Sequence, residues 1–177
     1  EIADANNCTI RDTFDINELT ELQALATASP ISCFGAADGG ASVKVTDGTP
    51  PYNFDWNNGQ TGVSALGLAV GDYTVTIEDA NNCKTERTIT VSEPAAIIIN
   101  FEAITISCLN EADGALVGRV EGGIPPYDYR WNTGQTNQFN FGLAADQYLL
   151  TVTDSKGCEK VATTRLDAPN ALTLATS

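Results

Sequence analysis

The residues best suited to chemistry in this chain are its five cysteines, which fall at fixed positions of a recurring pattern. Cys108 and Cys158 repeat the placement of Cys33 and Cys83 at an offset of 75 positions, and Cys8 precedes Cys83 by the same offset. Thiols at constant spacing are typical of a disulfide framework, which forms in an oxidising, exported location. We predict the pairs Cys33–Cys83 and Cys108–Cys158, each closing a separation of 50 positions and contributing about 4 kcal/mol. Cys8 is then unpaired by truncation; the alternative pairs, Cys8–Cys33 and Cys83–Cys108, join neighbouring repeats and leave Cys158 unpaired.

A second candidate site is the acidic sequence that precedes the later cysteine of each copy. Asp79 and Asn81, like Asp4 and Asn6, offer oxygen ligands at alternate positions, a spacing that calcium favours. The third copy has Lys156 where a ligand would stand, and the glutamate that normally completes such a loop is absent. We therefore interpret these residues as a turn, with calcium as the weaker alternative and no other metal or cofactor expected.

The composition argues against an enzyme and against two classes of partner. The chain has no histidine, which removes the commonest general base, the usual Ser or Cys triads and most zinc sites. Its net charge of −14 disfavours nucleic acid and anionic membrane surfaces as partners. No segment approaches the roughly 18 consecutive apolar residues of a membrane span. We predict no catalytic residues, no nucleic-acid partner and no membrane insertion.

An internal repeat positions these residues, and it defines the structural unit of the chain. Residues 50–61 return 75 positions later as residues 125–136, with a proline pair, an alternating aromatic run and a glycine turn in the same order. The match extends in both directions without insertion or deletion. A gapless correspondence of this length indicates two copies of one domain.

The frame of the repeat divides the chain into four parts. Residues 20–94 and 95–169 are predicted to be two full domains. Residues 1–19 correspond to the C-terminal strands of a truncated preceding repeat, and residues 170–177 to the first strand of a further repeat. We infer that the chain is an excerpt of a longer array.

Each full repeat has the pattern of about seven short strands separated by turns, without a segment of helical period. The aromatic run has its rings on one face of the third strand, and a later tyrosine follows a glycine turn, as in the tyrosine corner of immunoglobulin domains. We predict an all-β chain of tandem immunoglobulin-like β-sandwiches, one for each full repeat. The aromatic residues assigned to the two cores are Tyr52, Phe54, Trp56, Tyr73, Tyr127, Tyr129, Trp131 and Tyr148.

The two tryptophans have a second interpretation. Trp56 and Trp131 could act as sugar-stacking platforms, as in carbohydrate-binding modules. Their place on an alternating aromatic face favours burial in a core instead.

Short turn-rich motifs punctuate the first repeat, and the second repeat carries most of them at the same phase. In the first repeat they read Ser32-Cys33-Phe34-Gly35, Asp38-Gly39, Pro50-Pro51-Tyr52, Trp56, Gly59-Gln60-Thr61, Gly71-Asp72-Tyr73 and Asp79 to Cys83. Together they resemble the SprB-type repeat of bacterial cell-surface and gliding-motility adhesins, a module similar to PKD-like and other immunoglobulin-like domains. The resemblance covers nearly the whole chain.

The resemblance implies a location and a set of partners. It implies export to the cell surface by the type IX secretion route, within long filamentous proteins that serve adhesion, gliding or capture of other cells. The partners it implies are neighbouring repeats of the same long chain, other copies in a fibre, and the glycans or cells to which such proteins attach. A carbohydrate-binding module that uses exposed aromatic residues is the alternative function.

Overall fold

The computed structural model describes residues 2–3, 5–6, 9–10, 21–108 and 111–169, and these form strands and turns without a helix. The predicted all-β, immunoglobulin-like fold is confirmed. Within the described residues no helix is long and apolar enough to cross a membrane. The domain limits predicted at the two chain ends, residues 1–19 and 170–177, fall largely outside the described part and remain predictions.

The first sandwich contains strands β3 to β8, in two antiparallel three-stranded sheets. One sheet has the order β3-β4-β6 and the other β5-β7-β8. The strand bounds are β3 Gln23–Ser29, β4 Gly39–Asp47, β5 Asn53–Trp56, β6 Ser64–Leu68, β7 Gly71–Glu78 and β8 Lys84–Val91.

The second sandwich repeats this topology at the offset of the sequence repeat. Its sheets have the orders β9-β10-β12 and β11-β13-β14. The strand bounds are β9 Ile98–Ile104, β10 Gly114–Glu121, β11 Asp128–Trp131, β12 Phe139–Leu143, β13 Asp146–Thr153 and β14 Glu159–Leu166.

A short hairpin precedes the first sandwich. Strands β1 (Ile2–Ala3) and β2 (Thr9–Ile10) pair antiparallel, with Ile2 opposite Ile10. Ile77 lies opposite Thr85 in the β7–β8 hairpin, and these two residues are the counterparts of Ile2 and Ile10 in the next repeat. The register of the short hairpin is therefore that of β7 and β8.

Each sandwich has its own hydrophobic core between its two sheets, because alternate residues of a strand point to opposite faces. In the first core Trp56, Val75 and Ile77 are buried, and in the second Trp131, Leu150 and Val152 are buried. The equivalence of these two triplets shows that the alternation seen in the sequence positions the same faces inward in both domains.

The other aromatic residues predicted for the cores lie at their margins, with one exception. Tyr148 is buried, whereas Tyr52, Phe54, Tyr73, Tyr127 and Tyr129 are half-buried and pack against the cores. The Tyr73 hydroxyl donates to the Ala69 carbonyl at 3.2 Å, and the Tyr148 hydroxyl donates to the Ala144 carbonyl at 2.8 Å. These are the bonds of a tyrosine corner, and they fix the turns before β7 and β13.

Candidate functional site

The feature of the molecule with the clearest chemistry is the junction between the two sandwiches. A linker of residues 92–97 joins β8 to β9, and backbone hydrogen bonds hold it from both sides. The Ile31 amide of the first domain donates to the Ser92 carbonyl at 2.9 Å, and the Gly123 amide of the second domain donates to the Ala95 carbonyl at 2.8 Å. The linker is therefore part of both domains and not a loose tether.

A disulfide between Cys33 and Cys158 crosses this junction. The two Cα atoms lie 5.6 Å apart, and the bond spans 125 residues of sequence. The predicted pairs Cys33–Cys83 and Cys108–Cys158 are therefore wrong, and so is the alternative that joined Cys83 to Cys108. In this structure Cys83 and Cys108 form no disulfide, and Cys8 lies outside the described residues.

The length of a strand explains why the two cysteines of one repeat do not pair. Cys33 precedes the first residue of β4, whereas Thr49 lies just beyond the last residue of that strand. Cys83 lies beside Thr49, because the Asp79 carboxylate accepts the amide of Thr49 at 3.1 Å and that of Cys83 at 2.9 Å. The nine residues of β4 span about 30 Å at roughly 3.3 Å each. A disulfide requires Cα atoms within about 7 Å, so only cysteines of abutting domain ends can bond.

The turn that carries Cys158 is organised by the buried carboxylate of Asp154. Its Oδ1 accepts the amides of Lys156 at 2.8 Å and Cys158 at 3.0 Å, and its Oδ2 accepts the amide of Ile124 at 2.9 Å. Burial alone raises the pKa of this carboxyl, but the hydrogen bonds from these backbone amides outweigh it and hold the pKa below the ordinary 3.8. The ionised carboxylate thus fixes the loop that presents the sulfur.

The calcium candidates occupy the same turn in the other copies. Asp79 is buried, and its Oδ1 accepts the amides of Asn81 and Cys83 while its Oδ2 accepts that of Thr49. Burial raises the pKa of Asp79 and these amides lower it, with a net decrease. Both oxygens are engaged by the backbone, which is the role of a turn residue. Asn6 is an exposed turn residue, and Asp4 lies outside the described residues.

The loop that carries Cys33 is held by a second aspartate. Asp38 accepts hydrogen bonds from the hydroxyl and the amide of Ser32, and these lower the pKa of its carboxyl. The Ala36 amide closes the loop on the Cys33 carbonyl at 3.0 Å. A serine–aspartate clasp therefore presents the first sulfur, as the Asp154 turn presents the second.

A cavity of about 410 Å³ lies beside the disulfide, at the meeting of the two domains. Its lining includes Phe34, Pro94, Ala96, Gly123 and Lys160. No group of three or more His, Cys, Asp or Glu residues with the geometry of a metal site occurs in the described part of the chain.

The tryptophans considered as sugar platforms lie inside the domains. The Trp56 indole is 4% exposed and donates to the Gly62 carbonyl at 3.0 Å, and the Trp131 indole is 2% exposed and donates to the Asn137 carbonyl at 2.9 Å. Buried indoles with satisfied N–H groups offer no face to a sugar. The platform interpretation of these two residues is wrong.

An exposed aromatic pair occurs instead on the edge strand β12. The rings of Phe139 and Phe141 have centroids 5.8 Å apart and planes within 5° of parallel, and both side chains are exposed. Val117 lies opposite Phe139 and Ala115 opposite Phe141 on the neighbouring strand β10, so these four side chains share a face. We call them the β12 patch.

The first domain has no equivalent of the β12 patch. At the corresponding register positions Ser64 lies opposite Ser42, and Leu66 lies opposite Gly40. The strand pattern of the repeat does not by itself assign Phe139 and Phe141 to a face of the sheet. The signal that could have identified them is the replacement of Ser64 and Leu66 by phenylalanine at the same positions of the second repeat.

Comparisons with known proteins support the fold and the family resemblance. Residues 25–61 and 106–136 match the family model described as SprB repeat. Among curated protein sequences, none matches the chain.

Solved structures similar to this chain include three multidomain proteins. The three N-terminal domains of the bacteriophage RB49 Highly Immunogenic Outer Capsid protein (Hoc) align with a TM-score of 0.51 and 18% identity, over 84% of this chain and 58% of that one. The C-terminal 282-residue fragment of intimin, in complex with the intimin-binding domain of the translocated intimin receptor, aligns with a TM-score of 0.41 and 16% identity, over 87% and 65%. The N-terminal eight Ig domains of Down Syndrome Cell Adhesion Molecule align with a TM-score of 0.41 and 11% identity, over 86% and 25%.

This chain spans less than two thirds of the length of each of these structures. At such identities the likeness to the Hoc domains concerns the fold. The first match runs from β3 to the turn after β5, and the second runs from the loop after β9 to the turn after β11. Both matches include the cysteine loop and the two strands that follow it, β4 and β5 or β10 and β11. The chain is a tandem of immunoglobulin-like domains, and each domain contains a segment that matches the SprB repeat family model.

Proposed function

We propose that this chain is a non-catalytic structural and adhesive segment of a long extracellular repeat protein, in which sandwiches joined end to end build length. The whole protein serves attachment, gliding or capture of other cells at the surface of a bacterium, and it reaches that surface by the type IX secretion route. Its partners in this role are neighbouring repeats, other copies in a fibre, and surface glycans or cells.

The observation that carries this proposal is the disulfide between Cys33 and Cys158. A covalent bond across a domain junction fixes the direction from one domain to the next, which is useful in a protein whose task is to span distance. Disulfides persist in oxidising compartments and at cell surfaces, which agrees with an exported protein. The SprB repeat match and the absence of histidine from the chain support the same reading.

The location can be tested with antibodies raised against residues 1–177. We expect them to label intact, unpermeabilised cells of the bacterium that makes the protein and to reduce attachment of those cells to a surface. Labelling that requires permeabilisation would contradict export. Surface labelling without any effect on attachment would retain the structural role and reject the adhesive one.

A second candidate function is glycan binding at the β12 patch, which the exposed and parallel rings of Phe139 and Phe141 favour. Aromatic rings that are accessible on a sheet face offer apolar contact to the C–H groups of a sugar ring. The net charge of −14 favours neutral over anionic glycans, because like charges repel.

A glycan array with a matched variant tests this second function. Phe139→Ser with Phe141→Leu installs the residues that the first domain carries at these positions, Ser64 and Leu66. We expect a hit of the unchanged chain to be lost in this variant while both domains remain folded. A hit retained by the variant would place any glycan site elsewhere.

A further inference from the structure

The cysteine that remains unbonded in each domain stands in the same local structure as a bonded one. Cys108 is the counterpart of Cys33 in the second repeat and lies in an equivalent loop. The Ser107 amide and hydroxyl both donate to Asp113, as those of Ser32 donate to Asp38. Cys108 is exposed, so its sulfur is open to a partner.

The same equivalence holds at the other end of a domain. Cys83 donates its amide to Asp79 at 2.9 Å, and Cys158 donates its amide to Asp154 at 3.0 Å. The carbonyl of each cysteine accepts the amide of the same aspartate, at 3.0 Å in both domains. Cys83 and Cys158 are both half-buried. The turn that presents a bonded sulfur is thus already formed around an unbonded one.

The two cysteines of a domain lie at opposite ends, so each end offers half of a junction. The existing bond joins the Cys33 end of one domain to the Cys158 end of the next. Cys108 marks the same type of end as Cys33, and Cys83 the same type as Cys158. Both unbonded sulfurs therefore face away from the junction that the structure contains.

We infer that the disulfide between Cys33 and Cys158 is one step of a ladder, in which the first cysteine of each repeat bonds the second cysteine of the repeat that follows. The partner of Cys108 is then a further SprB-type repeat docked at the far end of the second domain, whose second cysteine follows Cys108 at the sequence separation of 125 found in the existing bond. This inference rests on the proposed function, in which the chain is a segment of a long repeat protein. It adds the covalent bond by which each repeat is joined to the next.

The bond forms by oxidation of two thiols. Each sulfur loses a proton, one electron pair becomes the S–S bond, and two electrons pass to an oxidant of the disulfide class by thiol–disulfide exchange. With oxidised glutathione as that oxidant, one molecule is reduced to two glutathione thiols for each bond made.

An extended chain tests the ladder: residues 1–169 followed by a second copy of residues 95–177. It is refolded in reduced and oxidised glutathione, alkylated, and mapped by mass spectrometry without reduction. We expect a peptide that links Cys108 to the added copy's counterpart of Cys158, with the Cys33–Cys158 peptide preserved. Alkylation of Cys108 should fall at least about tenfold relative to the unextended chain, because tethering gives the partner a high effective concentration.

The matched control carries Cys158→Ser in the added copy only, and alkylation of Cys108 should return to its level in the unextended chain. Undiminished alkylation of Cys108 in the extended chain, or a bond from Cys108 to Cys83 or Cys158, overturns the inference. Surface labelling of cells is measured independently of this result, so a failed ladder leaves the proposed function standing, and failure of the one is distinguishable from failure of the other.

A second measurement avoids dependence on folding of the added copy. The unextended chain, residues 1–177, is oxidised with glutathione at high concentration, and its interchain peptides are counted. The ladder predicts head-to-tail Cys108–Cys83 bonds between copies in excess over Cys83–Cys83 and Cys108–Cys108 bonds. An excess of the two symmetric bonds contradicts it.

Discussion

The Cα atoms of Cys33 and Cys158 lie 5.6 Å apart although 125 residues of sequence separate them. The bond links two domains that each have a complete core of their own. Its main effect in the folded protein is therefore on the direction of one domain relative to the other. In the unfolded chain it closes a long loop, which removes conformational entropy from that state.

The first prediction concerns the rigidity of the junction. Cys33→Ser removes the bond, and we expect both domains to remain folded while the distribution of inter-domain angles widens. The free energy of unfolding of the whole chain should fall by up to about 5 kcal/mol, the chain-entropy value for a loop of this length. Small-angle scattering measures the change in shape, and chemical denaturation measures the loss of stability.

Cys108→Ser is the control for this experiment, because it removes a thiol that takes part in no disulfide in the structure. It should leave both the scattering curve and the stability unchanged. An unchanged scattering curve for Cys33→Ser would show instead that the hydrogen bonds of the linker alone fix the two domains.

The second prediction concerns acid stability and the Asp154 turn. The folded protein lowers the pKa of Asp154 below 3.8, so the unfolded chain binds protons more readily than the folded one at low pH. The stabilisation is fully present above the ordinary pKa of 3.8 and is lost as pH falls through the lower folded value. Asp154→Asn should destabilise the second domain at neutral pH and flatten its loss of stability in this acidic range, measured by denaturation at a series of pH values.

Asp128→Asn serves as the comparison, since Asp128 is an exposed carboxylate on β11 of the same domain. We expect its pH profile to follow that of the unchanged chain. A profile for Asp154→Asn as steep as that of the unchanged chain would mean that other carboxylates control acid unfolding.

The inward faces of the strands could be predicted from the sequence, whereas the disulfide could not. Alternation in the run that ends at Trp56 or Trp131 predicts the buried side directly, because strand periodicity is a local property. Pairing of cysteines depends on which ends of the domains meet. That depends on how many times the chain crosses the sandwich between two cysteines. β5 pairs with the second half of β7, and β6 pairs with the first half of β4, so these two short strands together make one crossing. The chain therefore crosses three times between Cys33 and Cys83, which places them at opposite ends.

The side chains on the outer surface of the domains could not be predicted from the repeat pattern either. Equal phase in two repeats predicts equal structure, but Phe139 and Ser64 occupy the same backbone position with different side chains. Such differences carry information about contacts outside the domain, and nothing in the local sequence names the partner. The same applies inside the core, where equal phase hides compensating changes of size and polarity.

The third prediction concerns a buried polar group on β12. Asn140 is fully buried, and within the described part of the chain its side-chain NH₂ has no hydrogen-bond partner, while its oxygen accepts from the exposed Thr133 hydroxyl. An unsatisfied buried donor costs about 1–3 kcal/mol, and the first domain has the equally buried Ala65 at the same position. Asn140→Ala should therefore stabilise the second domain by about 1 kcal/mol after a small cavity cost, as measured by thermal or chemical denaturation.

The reverse change in the first domain is the matched test. Ala65→Asn should destabilise that domain by about 2 kcal/mol, since it buries a polar group and adds volume to a packed core. If Asn140→Ala lowers stability instead, the side-chain NH₂ of Asn140 is hydrogen-bonded to a water molecule held in the folded protein.

The fourth prediction concerns two core positions at which the side chains differ in size between the domains, one being larger and the other smaller in the second domain. A Cβ atom on Gly118 would lie 2.3 Å from a methyl carbon of Leu150, so glycine at this position leaves room for the leucine. The first domain has Val43 and Val75 at the same two positions, both buried. Gly118→Val alone should overpack the core and cost about 1–3 kcal/mol. Leu150→Val alone should cost about 1 kcal/mol, because it removes one methylene.

The double variant, Gly118→Val with Leu150→Val, reproduces the pair found in the first domain. Its loss of stability should be smaller than the sum of the two single losses by at least about 1 kcal/mol, because contacting residues are energetically coupled. Denaturation of the four chains in a double-mutant cycle measures this coupling. Additive losses would show that the clash at Gly118 is relieved by movement of the backbone, in which case the two positions vary independently. A favourable coupling means that the sizes of contacting core residues depend on each other. Repeats with one topology can then change these core residues only in pairs, such as Gly118 with Leu150.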